Sequence, residues 1–76
     1  MSKSNKHDQI LIDIGREIGK RRRELGITQE EFANKIGVSY GYYIKIEAPN
    51  VPMRFSIETL LDICDGLGCK LKDLVK

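Results

Sequence analysis

Few side chains in this 76-residue sequence could support acid–base, nucleophilic or metal chemistry. The chain holds one histidine, His7, and two cysteines, Cys64 and Cys69, which are not spaced as a C-x-x-C pair. A zinc site needs several cysteine or histidine ligands, and an enzyme needs a nucleophile or base in a suitable pocket. We therefore expect no metal, no cofactor and no enzymatic activity, and we interpret both cysteines as reduced thiols that act as small apolar residues.

Length and charge narrow the possible functions. A chain of 76 residues with 41% hydrophobic and 32% charged residues is typical of one small globular domain. We expect a flexible segment over residues 1–9 and a single domain over 10–76. Residues 1–27 hold seven lysines and arginines and four acidic residues, a net charge of +3. The whole chain has a net charge of +2, so its positive charge is concentrated in this first third. No apolar run reaches a membrane span and no leader is evident, so we expect a cytoplasmic protein.

The spacing of apolar residues is helical throughout. Ile10, Ile14, Ile18 and Leu25 form one stripe and predict a first helix that ends near Gly26. We expect Ser4 or Asn5 to cap its start. Two glycines in this helix, at positions 15 and 19, weaken it intrinsically, so they are tolerable only if tertiary packing supports the helix or if close backbone approach needs them.

Three further helices and a last turn follow. Thr28-Gln29-Glu30-Glu31 is a capping box and predicts a second helix that ends at Gly37. Ser39 caps a third helix from Tyr40 to about Glu47, and the two prolines place a loop over residues 48–55. Ser56 caps a fourth helix that ends near Gly68, and a last turn follows it. The residues of the fourth helix expected to face inward are Ile57, Leu60, Leu61, Cys64 and Leu67.

The connection between the second and third helices carries the functional information. Gly37 permits a left-handed bend, Val38 can fill the angle between the helices, and Ser39 restarts the hydrogen bonding. Two short helices joined in this way cannot be collinear. The pattern predicts a helix-turn-helix over about residues 28–47, whose second helix can project into the major groove of DNA.

These motifs resemble a known family, the Cro and phage-repressor type of helix-turn-helix regulators, also called XRE-like. The resemblance extends over about residues 10–75 and begins with residues 14–22. The other matching blocks are Gly26-Ile27-Thr28-Gln29-Glu30-Glu31-Phe32-Ala33, Ile36-Gly37-Val38-Ser39, Tyr42-Tyr43-Ile44-Lys45-Ile46-Glu47 and Ser56-Ile57-Glu58-Thr59-Leu60. It implies an all-α, five-helix phage-repressor-like fold and binding to double-stranded operator DNA.

The resemblance also assigns roles to single residues. It implies that Gln29 anchors a backbone phosphate, that the start of the third helix and Lys45 reach base edges, and that Arg22 and Glu47 form a structural salt bridge. Phosphate contacts from the loop carry over to Asn50 and Arg54, although this loop departs from the usual glycine-containing turn. The expected DNA-binding residues are Thr28, Gln29, Ser39, Tyr40, Gly41, Tyr42, Lys45, Asn50 and Arg54.

Three positions on the third helix leave alternatives open. Tyr40 can donate to a phosphate or a base, or lay its ring against a thymine methyl group. Gly41 has no side chain that could read a base, so it either lets the helix backbone approach the DNA closely or contributes nothing to binding. Ile44 could contact a thymine methyl or a protein partner, or pack under the second helix.

The function that we predict is a sequence-specific transcriptional regulator, a repressor, that binds a pseudo-palindromic operator as a homodimer. One copy offers few base-reading side chains, which favours a dimer, and we expect its contacts among apolar groups near the fourth and fifth helices. An alternative is an antitoxin or adaptor whose main partner is a toxin or another regulator. The run Lys20-Arg21-Arg22-Arg23 could bind a polyanion, but a solvated helix end explains it better.

Overall fold

The computed structural model describes residues 7–49 and 52–75, which contain helices and no strand. The predicted all-α fold with five helices is confirmed. In chain order the helices are α1 (Asp8–Glu24), α2 (Gln29–Ile36), α3 (Tyr40–Glu47), α4 (Ile57–Leu67) and α5 (Leu71–Leu74). The start of α1 lies two residues before the expected domain boundary at residue 10, and residues 1–6 of the expected flexible segment lie outside the described residues.

Local capping interactions set most of the helix limits. The Thr28 hydroxyl accepts from the Glu31 N–H at 3.0 Å, and a Glu31 carboxylate oxygen accepts from the Thr28 N–H at 2.8 Å. Ser39 and Ser56 cap α3 and α4 in the predicted way. His7 holds the N-cap position of α1, whereas the predicted caps Ser4 and Asn5 lie outside the described residues.

The core lies where α1 and α2 meet α3 and α4, and α5 closes it against α1 and α4. The rings of Phe32 on α2 and Tyr43 on α3 meet edge to face, with centroids 5.4 Å apart. Each fully buried large apolar side chain contributes about 1.5–3 kcal/mol to stability. The buried hydrophobic residues are Ile14, Ile18, Phe32, Ala33, Tyr43, Ile46, Ile63, Cys64, Leu67 and Leu74.

Two glycines let α1 lie directly against the end of α3. A Cβ atom added to Gly15 would lie 2.2 Å from the backbone carbonyl oxygen of Ile46, and one added to Gly19 would lie 3.0 Å from a carboxylate oxygen of Glu47. The close approach that the two helical glycines allow is therefore used in the fold. It brings α1 to the last turn of α3 and so supports the orientation of that helix.

The predicted inward face of α4 is partly wrong. Ile57 is 62% exposed and Leu61 is 48% exposed, while Ile63 is fully buried. Ile57 and Leu61 lie at one edge of the apolar face of α4, and the neighbouring helices cover only the side that carries Ile63, Cys64 and Leu67. The apolar stripe predicted for α1 also includes too many residues, because Ile10 at its start and Leu25 at its end are exposed.

Candidate nucleic-acid interface

The turn between α2 and α3 is built from backbone hydrogen bonds and one glycine. Gly37 has a φ angle of 80°, in the left-handed region. The Val38 N–H donates to the carbonyl of Ala33 at 3.0 Å, and the Val38 side chain packs against the core. Ser39 then accepts from the Tyr42 N–H at 3.1 Å and starts the next helix. The bend, the apolar filler and the new cap are all confirmed.

The two faces of α3 differ in exposure. Tyr43 and Ile46 are buried in the core, and Tyr42 is half-buried against it. Tyr40, Gly41, Ile44 and Lys45 are exposed on the other side. The helix is therefore held along one face and presents the other to solvent, as docking into a groove requires.

The end of α3 is held by a cluster of hydrogen bonds around the carboxylate of Glu47. Arg22 on α1 donates through Nε at 2.6 Å and through Nη2 at 3.1 Å. The Tyr43 hydroxyl donates to the same carboxylate, and Gln29 Nε2 donates at 3.1 Å. Arg22 is only 8% exposed; its remaining nitrogen, Nη1, donates to the carbonyl of Ile27 at 2.7 Å. The ion pair that the resemblance implies is thus present, and it joins α1, α2 and α3.

The same cluster shifts the pKa values of its members. Burial raises the pKa of Glu47, but the hydrogen bonds from Arg22, Tyr43 and Gln29 outweigh burial and hold that pKa below its usual value. Burial, together with the hydrogen bond to Glu47, raises the pKa of the Tyr43 hydroxyl far above its usual value. At neutral pH the carboxylate is ionised and the phenol is neutral, which is the pairing that the hydrogen bonds require.

Sequence reasoning missed two of the donors to Glu47. Tyr43 lies four residues before Glu47 on the same helix, and that spacing places both side chains on one face. The spacing could have revealed this contact. Gln29 lies 18 residues away from Glu47, and no local sequence pattern predicts its hydrogen bond to that carboxylate.

The first turn of α2 holds two of the predicted DNA-binding residues. Thr28 is exposed, and its hydroxyl caps the helix. One amide hydrogen of Gln29 is directed to Glu47, so the side chain is held beside the helix start and keeps a second N–H. Backbone N–H groups at a helix start attract phosphate oxygens.

The loop before α4 carries the two remaining residues that were predicted to contact phosphates, Arg54 and Asn50. Arg54 Nη2 donates to a carboxylate oxygen of Asp8 at 2.7 Å, and Arg54 Nη1 donates to the carbonyl of Pro52 at 3.2 Å. This exposed contact ties the loop to the start of α1 and was not expected from the sequence. Asn50 lies outside the described residues.

In the basic run at the end of α1, two arginines bind acidic residues of the protein and the other two side chains face solvent. Arg21 Nε donates to Glu17 at 2.9 Å, Arg22 binds Glu47, and Lys20 and Arg23 are exposed.

Among the described residues, no cluster of three or more histidines, cysteines and acids could hold a metal ion. No helix within 7–49 or 52–75 is long and apolar enough to cross a membrane.

Two short helices that meet at a left-handed glycine, with the second exposed along one side, define the helix-turn-helix class of DNA-binding domain. A helix-turn-helix family model, HTH_3, matches residues 18–74 of the chain. The protein belongs to this family of Cro-type, XRE-like DNA-binding regulators, which is not an enzyme family. No curated protein and no solved structure gives a significant match to the chain.

Proposed function

We propose that the protein is a sequence-specific transcriptional repressor that binds a pseudo-palindromic operator as a homodimer. The α3 helix enters the major groove of each half-site, and the half-sites lie about 34 Å apart, one turn of duplex. Bound at a promoter, such a dimer blocks transcription by occupancy. This function places the protein in the cytoplasm, with DNA as its main partner.

The observation that carries the proposal is the exposure of one side of α3 while its other side is anchored. Tyr40 is 49% exposed and Ile44 is 37% exposed, whereas Tyr43 is fully buried. A partner that covers exposed apolar side chains gains free energy in proportion to the apolar area buried. A groove that presents base edges and methyl groups is such a partner.

Base reading and backbone binding are assigned to different elements. Lys45 lies on the exposed side of α3 and reads a base edge, while Gln29 and the N-terminus of α2 hold a phosphate. The Arg54 side chain is 54% exposed, and its guanidinium keeps further N–H donors for a phosphate beside its contact with Asp8. Each phosphate contact adds about 0.9 to the slope of log affinity against log salt, so operator binding weakens steeply as salt rises.

Exposed apolar groups on α4 and after α5 support the dimer. Ile57 and Leu61 lie four residues apart, on one side of α4, and Val75 follows α5 and is also exposed. A two-fold contact would bury these groups and double the number of base contacts. We assign the dimer surface to the exposed apolar groups of α4, Ile57 and Leu61.

Two measurements test the proposal together. The protein is used to select duplexes from a random pool at roughly 0.15 M ionic strength, and its mass is measured free and bound to a selected duplex. We expect a two-fold symmetric consensus and two chains per duplex. A pool without a consensus would refute sequence-specific binding. A single chain on an asymmetric site would refute the dimer, and stable capture of a different protein chain with no consensus would favour the antitoxin or adaptor function.

A further inference from the structure

Six of the seven glycines in this chain have a structural reason, and one does not. Three have a positive φ angle, which other residues rarely adopt, and three face neighbouring atoms within 3.0 Å of the place where a Cβ would stand. The first group is Gly26, Gly37 and Gly68, and the second is Gly15, Gly19 and Gly66. Gly41 belongs to neither group.

Gly41 lies in the first turn of α3, and nothing comes within 4 Å of a Cβ atom built on it. Its φ angle is not positive, so alanine fits the backbone at this position. Alanine is also the better helix former, because glycine loses more conformational freedom when the helix forms. Within the described residues, no contact of the protein with itself calls for glycine here.

The surroundings of Gly41 form a notch on the exposed side of α3. Ile44 and Lys45 follow it by three and four residues, so their side chains flank it on the helix surface, and Tyr40 lies at its N-terminal rim. The floor of this notch is bare backbone. Two of its three neighbours, Ile44 and Tyr40, offer exposed apolar surface.

We propose that Gly41 is the point at which α3 comes closest to DNA, and that the notch receives the 5-methyl group of a thymine in each half-site. This inference rests on the proposed DNA-binding function and deepens it. Among the four bases only thymine presents an apolar group in the major groove, and Ile44 supplies the apolar wall against which that group packs. A side chain at position 41 would occupy the space of the methyl group.

The first test separates stability from binding. Gly41→Ala is expected to raise Tm by roughly 2–5 °C, because the helix gains propensity, and to weaken binding to the selected operator by tenfold or more. Asn34→Ala is the matched control, since Asn34 is exposed on α2 and the change also improves helix propensity. The control is expected to raise Tm and leave the affinity for the operator unchanged.

The second test removes the methyl group from the DNA. Each thymine of the selected operator is replaced in turn by deoxyuridine, which lacks only the 5-methyl group. Loss of one buried methyl corresponds to about 0.8 kcal/mol, so we expect the affinity of the wild-type protein to fall about fourfold per half-site at one position. At that position the Gly41→Ala variant is expected to bind the deoxyuridine duplex more tightly than the thymine duplex.

The outcomes distinguish the inference from the function on which it rests. If Gly41→Ala binds the operator as tightly as the wild type, or if no deoxyuridine substitution weakens wild-type binding, the notch does not hold a methyl group. Operator selection by the wild type would then still support the repressor. If the wild type selects no duplex at all, both the proposed function and the inference are wrong.

Discussion

Replacing Arg22 with methionine should remove a large part of the stability of this domain. Arg22 provides two of the four hydrogen bonds to the carboxylate of Glu47, and the two side chains are only 10% and 7% exposed. Methionine keeps much of the volume but leaves a buried carboxylate without its cation. One-sided removal of a buried ion pair costs about 3–5 kcal/mol.

The structure supports the same magnitude by a second route. Hydrogen bonds to a charged group contribute about 1.5–3 kcal/mol each, so the two lost donors account for roughly 3–6 kcal/mol. The carbonyl of Ile27 also loses its partner. A 76-residue domain has a free energy of unfolding of about 4–11 kcal/mol, so the variant should lose around half of it.

Urea melts followed by circular dichroism measure the effect. At roughly 1 kcal/mol per M of urea for a chain of this size, the midpoint of Arg22→Met should fall by about 3 M, or the variant should be unfolded without urea. The double variant Arg22→Met/Glu47→Leu should recover at least about 1–2 kcal/mol, because an apolar pair leaves no buried charge.

An exposed arginine provides the control. Arg16 approaches Asp13 at 3.9 Å, and both side chains are more than half exposed. Arg16→Met should therefore change stability by less than about 0.5 kcal/mol. If Arg22→Met also stays within about 0.5 kcal/mol of the wild type, the Glu47 cluster does not stabilise the fold in the way argued above.

Four other substitutions address the helix contact, the buried carboxylate and the DNA surface. Gly15→Ala places a methyl group 2.2 Å from a backbone oxygen and should lower the free energy of unfolding by about 1–3 kcal/mol in urea melts; unchanged stability would contradict the close approach. The pKa of Glu47 is lower in the folded protein than its ordinary value of 4.5, so its stabilising contribution is complete above pH 4.5 and is lost as the pH falls below it. Melts between pH 6 and 3 should therefore show a weaker pH dependence for Glu47→Gln than for the wild type, and equal slopes would count against the shift. Lys45→Ala should reduce discrimination between operator and scrambled duplex by about 1–3 kcal/mol in gel shifts, whereas Gln29→Ala should weaken both duplexes alike; equal losses for Lys45→Ala would refute base reading.

The local signals in the sequence predicted the helix-turn-helix well. A hydroxyl at Thr28, Ser39 or Ser56 bonds to an N–H three residues ahead. Such contacts depend only on the conformation of a few adjacent residues, so a short pattern is enough to reveal them. The buried side of α3, with Tyr43 and Ile46, was predicted from the helical period. The exposure of Ile44 was not, because an apolar residue at that position could also have packed under the second helix.

Contacts between distant residues were harder to predict. The Arg22–Glu47 pair joins residues 25 apart and was expected only because the chain resembles a known family. The contact between Arg54 and Asp8 spans 46 residues and was not expected. On α4 the sequence offered more apolar positions than the core could use, so the exposure of Ile57 and Leu61 could not be deduced from periodicity.

The amino-acid sequence alone determined where α2, α3 and α4 begin and that α2 and α3 meet at an angle, because the caps at Thr28, Ser39 and Ser56 and the left-handed glycine act over three to five residues. Tertiary structure alone decided which side of α4 stays open, which donors surround Glu47, and that no neighbour approaches Gly41. These features depend on how whole helices are placed against one another. That placement is a compromise among all buried side chains at once, so no short segment of the chain encodes it.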